Sequence, residues 1–221
     1  MASDTPDPLE ITERSKLRRA HERGHFDRAT IDAILAATPL CHVGYVMDDA
    51  PIVTPTLQWR EGDRVYWHGS SASRLLRQSE GMPVSLTVTL MDGLVIARSA
   101  FHHSANFRSV MLFGQAEKVE DPAEKEFRLK NFVDGLFPGR WDILRPMNGQ
   151  ELKATTVLSI PITEGSAKIR EGAPVDDEED YALPIWAGVV PMTTTMGVPI
   201  PDSRNLPTAE MPRHVTDAAI G

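Results

Sequence analysis

Residues 51–77, "PIVTPTLQWREGDRVYWHGSSASRLLR", decide the fold. A period of two runs through the first half: Val53, Pro55, Leu57 and Trp59 share one face, Thr54, Thr56 and Gln58 the other. "REGD" reads as a turn and "RVYWH" as a second strand, so the two pair antiparallel across a short connection. Pro55 cannot donate to a ladder, which places its strand at an edge or a bulge. The second strand then gives way to a helical "SRLLRQS", and Ser70, Ser71, Ser73 and Arg74 gather at the change. Such a corner suits a phosphate. Gly69 permits close backbone approach, the serines offer hydroxyls, the first helical turn is electropositive, and Arg74 supplies a fork of donors.

The flanking sequence extends this pattern. Upstream, Thr12 is expected to cap a helix running to about Glu22 and stopped by Gly24. Asp27 or Thr30 caps a second, "IDAILAA", with Ile31, Ile34 and Leu35 on one face and Pro39 at its end. "LCHVGYVM" is a strand joined to residues 51–59 by the turn "DDA". Downstream, "PVSLTVTL", "LVIARSAF" and "FRSVMLFGQAEKVE" are rich in β-branched and aromatic residues and read as strands. "DPAEKEFRLKNFVDGLF" opens with Asp-Pro and carries Phe127, Leu129, Phe132 and Leu136 at helical spacing. "TTVLSIPI" and "SAKIR" add further strands. Short connections imply antiparallel neighbours, giving an α+β fold: a mostly antiparallel, six-stranded β-barrel with peripheral helices.

The chain has 221 residues, 41% hydrophobic and 24% charged, enough for one full core. The division expected is a flexible N-terminus over 1–11, the barrel over 12–170 and an extended arm over 171–221. The net charge of −8 is uneven. From Glu171 onward nine acidic residues face two basic ones, so residues 1–170 carry the remaining −1. No basic stripe exists for a phosphate backbone, which excludes nucleic acid as a partner. No apolar run is long enough to cross a bilayer and no signal-peptide pattern opens the chain, so a cytoplasmic, membrane-free protein is expected. The single cysteine, Cys41, reads as a buried hydrophobe in a reducing compartment. Seven prolines lie beyond Gly172. There "DDEED" should stay solvated, whereas "YALPIWAGVVPM" is apolar and needs a surface to cover.

Together, "PIVTPTLQWREGDRVYWHGSSASRLLR", "FRSVMLFGQAEKV" and "LFPGRWDILRPMNGQELKATTVLSIPITEGSAK" resemble the flavin-nucleotide-binding branch of the pyridoxamine phosphate oxidase-like family, close to nitroimidazole-resistance reductases. The resemblance implies a split-barrel homodimer holding FMN in clefts between its subunits. It implies that the Ser70–Arg74 corner grips the FMN phosphate, with Leu75 where a lysine is common. Val53, Thr54, Pro55 and Thr56 would lie along the flavin ring, Ser109 and Val110 would reach it from a neighbouring strand, and His68 would line the pocket. Trp186 would cover the ring from the second subunit. Arg108 alternates to the opposite face from Ser109 and is read as a structural or interface charge.

Other chemistry finds no support. His102 and His103 are adjacent, so on a strand they point apart and cannot share a metal, and no metal site is expected. Nucleophilic triads, paired carboxylates and phosphate-binding P-loops are absent from the sequence. Two functions remain. One is an FMN oxidoreductase passing electrons from NAD(P)H to a small acceptor such as a nitroaromatic or a quinone. The other is a module that holds flavin, haem or deazaflavin without turnover.

Overall fold

The computed structural model describes residues 8–78 and 80–218, with the side chains of Leu75 and Arg77 outside the description. The expectation at Leu75 concerns a side chain outside the described residues, and the first part of the N-terminal segment lies outside them too. Among the described residues ten strands form one sheet: β1 (Gly24–His25), β2 (Leu40–Met47), β3 (Ala50–Glu61), β4 (Arg64–Ser70), β5 (Pro83–Ile96), β6 (Ser104–Gln115), β7 (Glu117–Lys118), β8 (Thr155–Pro161), β9 (Glu164–Arg170) and β10 (Gly188–Pro191). The helices are α1 (Arg28–Ala36), α2 (Arg74–Gln78), α3 (Pro122–Leu136), α4 (Gly149–Ala154) and α5 (Arg213–Thr216).

The strands run β1-β9-β6-β5-β2-β3-β4-β8-β7, all antiparallel, with β10 added to β5. The path does not close on itself, as a split barrel requires. The β2–β3 turn uses Asp48 and Asp49, both at positive φ (50° and 60°), the conformation of a tight hairpin that matches strand twist. α1 starts on Asp27, whose carboxylate accepts from the Thr30 N–H at 2.8 Å. α3 starts on Asp121, with Pro122 in its first turn.

The main core lies between the sheet and α1, around Ile31, Val43, Leu86, Val110, Leu112 and Ile160. A second cluster, Trp59, Tyr66, Leu129, Phe132 and Val157, sits under α3. Cys41 is fully buried, and burial pushes its thiol pKa up to about 12. The native protein should therefore resist a thiol reagent at about pH 8 and react once unfolded. Rapid labelling of folded protein would place Cys41 in a reactive setting.

Several elements differ from expectation. The helix over Thr12–Glu22 does not form. Ser15 is buried and its hydroxyl donates to the Glu10 carbonyl, while Thr12 and Arg14 bond to Glu164, so side chains take the place of a helical ladder. Leu9, expected in a flexible terminus, is buried, with its N–H on the Phe26 carbonyl at 2.8 Å. "PVSLTVTL" and the first three residues of "LVIARSAF" are one strand, β5, with a bulge between Met91 and Gly93, while Ala100 and Phe101 enter a short 3-10 turn. Phe127 is exposed rather than in the α3 core face. The acidic block also packs in part: Asp176 is buried, accepting from the Arg98 N–H at 2.9 Å and guanidinium at 3.0 Å, and Arg98 lies over the Tyr181 ring. No helix among the described residues is long and apolar enough to cross a membrane.

Candidate functional site

β3 and β4 pair only near their turn, where Gln58–Glu61 meet Arg64–Trp67. Beyond it β3 stays with β2, Pro55 opposite His42, and β4 keeps only β8, its partner along its whole length, with His68 opposite Val157. Pro55, with no N–H for a ladder, sits in the half of β3 that β4 has left. The parting opens a cleft of about 160 Å³ lined by Thr54, Pro55, Thr56, His68, Ser70 and Ser73 over Val43, Trp67 and Leu76. At its narrow end the Thr56 hydroxyl donates to the His68 carbonyl at 3.4 Å. The Thr54 hydroxyl bonds to that of Tyr45 at 3.1 Å.

The serine corner is a turn followed by the five-residue α2. The Ser73 N–H donates to the Ser70 carbonyl at 2.9 Å, the Ser70 hydroxyl accepts from the Ala72 N–H at 3.2 Å, and the Ser71 N–H donates to Ala154. These bonds engage the backbone N–H groups of Ser71 and Ser73. Arg74 is 61% exposed and stands 3.5 Å from Asp48, itself exposed. A pair so solvated is weak and yields readily to a stronger anion. Gly69 lines the cleft, and a Cβ there would come within 2.6 Å of Leu76 Cδ1, so the glycine also makes room for Leu76.

His68 is held between aromatic rings, 4.8 Å from Phe132 and 5.9 Å from Trp59 between centroids. Its Nδ1 is buried with no partner. Burial lowers its pKa below the usual histidine value, keeping the ring neutral. The folded state thus binds this proton less well than the unfolded chain. Its stabilising effect is full above about pH 6.5 and is lost as pH falls toward the lowered folded value. Thermal melts from pH 7.5 to 5.5, roughly spanning that window, should show a smaller fall for His68→Asn than for the parent. Equal slopes would contradict the neutral ring.

The other expected site residues lie elsewhere. Val53 points to the opposite face of β3 and is 65% exposed. On β6 the Ser109 hydroxyl donates to the Lys168 carbonyl at 3.3 Å, and Val110 is fully buried in the core. Trp186 is 68% exposed, its ring edge over Gly188 in the arm. Arg108 forms a two-point ion pair with Asp92 at 2.8 and 2.9 Å. His102 approaches Asp177 and His103 bonds to the Ser99 carbonyl, so the two do not converge. Sequence reading missed Val43, Tyr45, Asp48 and Trp67. The β2–β3 hairpin register carries the signal for Val43, which faces Thr54, whereas Asp48 meets Arg74 only through the tertiary fold.

The arrangement combines serine hydroxyls and a displaceable cation at one end, unpaired strand edges along the middle and a neutral imidazole at the back. Residues 27–169 match the sequence family described as pyridoxamine 5′-phosphate oxidase. No curated protein matches the chain in sequence. Among solved structures, the flavocytochrome Anf3 from Azotobacter vinelandii is 53% identical with a TM-score of 0.93, covering 97% of this chain and 100% of its own. An FAD and haem binding protein from Mycobacterium smegmatis is 36% identical with a TM-score of 0.85, covering 89% of this chain and 97% of its own. A protein assigned to 5-nitroimidazole antibiotic resistance from Bacteroides thetaiotaomicron, 21% identical over 65% of this chain and 84% of its own, shares the fold with a TM-score of 0.52.

Proposed function

Because the chain belongs to the pyridoxamine 5′-phosphate oxidase family, we propose that it is a flavin-binding redox protein whose cofactor lies between β3 and β4. The observation that carries this reading is the parting of those strands. It leaves two unpaired strand edges facing each other, with Thr54 and Thr56 on one and His68 and Ser70 on the other. A flat ring needs such edges, whose N–H and C=O groups hold its rim. Ser71, Ser73 and Arg74 suit the phosphate end.

The name of the Mycobacterium smegmatis protein favours FAD over FMN, and the names of both well-covering relatives extend the proposal to a haem. His68 fits an iron ligand by its chemistry, as a neutral imidazole with Nδ1 free. A flavin supplies two-electron and one-electron steps, and the protein supplies position and shelter from water. Here Trp59 and Phe132 exclude water around His68, while Arg74 would balance the phosphate charge. Reduced nicotinamide is the proposed donor and a nitroaromatic or quinone the proposed acceptor, in a cytoplasmic homodimer.

An absorption spectrum of freshly purified protein should carry flavin bands and a Soret band. A colourless protein that takes up no flavin would overturn the reading. Anaerobic reduced nicotinamide should bleach the flavin, whereas a binding module without turnover would stay oxidised. Arg74→Ala should weaken flavin binding by roughly 1.5–3 kcal/mol, the scale of a charge-assisted hydrogen bond. Unchanged affinity in a flavin titration would move the phosphate elsewhere.

A further inference from the structure

A second polar groove, sharing no residue with the β3–β4 cleft, lies where β1 meets β9 and the arm departs. Arg23, His25 and Arg170 line it, with Ile169, Ala173 and Val175 as apolar wall, and its volume is about 370 Å³. Antiparallel pairing of Gly24 with Lys168 and of His25 with Ala167 sets these residues side by side.

The arginines differ from most others in the chain. Arg14, Arg28, Arg64, Arg98, Arg108 and Arg128 each meet a carboxylate at 3.1 Å or closer. Arg170 meets none among the described residues. Its guanidinium donates to the Oδ1 of Asn106, a buried amide tied in turn to the Gly172 carbonyl at 3.1 Å. Burial and the charge of Arg23 lower the Arg170 pKa. Arg23 has only Glu22, 3.5 Å from its Nε. Two guanidiniums that repel each other, one aimed by a neutral amide, share a single carboxylate contact, at 3.5 Å, among the described residues.

We propose that Arg23, His25 and Arg170 bind the phosphoryl group of a nucleotide. Forked donors match phosphate oxygens, and two cations balance a dianion. The groove exceeds what a bare ion fills, and the apolar wall of Ile169, Ala173 and Val175 suits the sugar or base beyond the phosphate. Glu22 and Glu171 also border the groove, which disfavours a long polyanion. The nucleotide is either free in solution or the tail of a bound flavin dinucleotide, and only the second source rests on the flavin proposed for the β3–β4 cleft.

ADP titrated into the purified protein by calorimetry separates these sources. Arg23→Gln is the first variant, since Arg23 is partly exposed, and Arg170→Lys, which keeps the charge and loses the fork, is the second. ADP binding that falls about tenfold or more in both identifies a free nucleotide. No ADP binding, together with about tenfold weaker flavin retention in the variants, identifies the flavin tail. ADP affinity and flavin retention that both match the parent overturn the proposal. Should the protein hold no flavin at all, the ADP measurement still decides it.

Discussion

Val53→Asp should convert the protein to a 24.4 kDa monomer that no longer retains flavin. Val53, Pro55 and Leu57 form an outward face of β3, continued by Leu40, Gly44 and Val46 on β2, which stand opposite Leu57, Val53 and Pro51. The face runs on through Thr87 of β5 to Met111 of β6. Leu40, Val46, Val53, Leu57 and Met111 are all exposed on it. An apolar sheet face of this kind marks an interface. The β3–β4 cleft, at about 160 Å³, is smaller than the roughly 300 Å³ at which cofactor pockets begin, and in the proposed homodimer a second chain would complete it. The arm adds apolar side chains with nothing beneath them in their own chain, Val198 at 90% and Ile200 at 94% exposed. In a two-fold dimer the substitution acts twice, each buried unpaired carboxylate costing about 3–5 kcal/mol. Light scattering and the flavin spectrum check this together. A Val53→Asp protein that stays dimeric and yellow would put the interface on another face.

Gly165→Ala should cost about 3 kcal/mol of stability or prevent folding, more than any surface change. Gly165 sits on β9 opposite Leu112 of β6. A Cβ there would come within 2.5 Å of the Met111 carbonyl oxygen and 3.2 Å of the Leu112 Cα. Both contacts involve backbone, so no rotamer change relieves them, and relief requires β9 to move off β6 in the middle of the barrel. Chemical denaturation should show a lower midpoint with an unchanged slope, as expected for a native-state clash. A midpoint equal to the parent's would mean that the two strands are further apart.

The order of elements was legible because it rests on local chemistry. The period of two in residues 53–59, the cap at Asp27 or Thr30, the Asp-Pro that opens α3 and the turn at "DDA" each act within a few residues, and the structure shows the alternation, an Asp27 cap, Pro122 in the first turn of α3 and a turn at Asp48 and Asp49. The serine corner was legible for the same reason, since a strand ending in Ser70 and a helix starting at Arg74 are neighbours in the chain. The segment at Thr12–Glu22 was not, because its helix propensity loses to bonds with Glu164, more than a hundred residues away. The packing of Gly69 against Leu76 was not legible either, since no spacing reveals it. By itself the sequence determined the strands, the hairpins and the residues that gather at the corner, since backbone propensity and side-chain alternation are local forces. Only the tertiary structure decided that β3 and β4 part to open a cleft, that the His68 ring is held neutral between Trp59 and Phe132, and that Arg23 and Arg170 share a groove. Each of these depends on which distant strand claims an edge, and sheet pairing is settled by long-range packing.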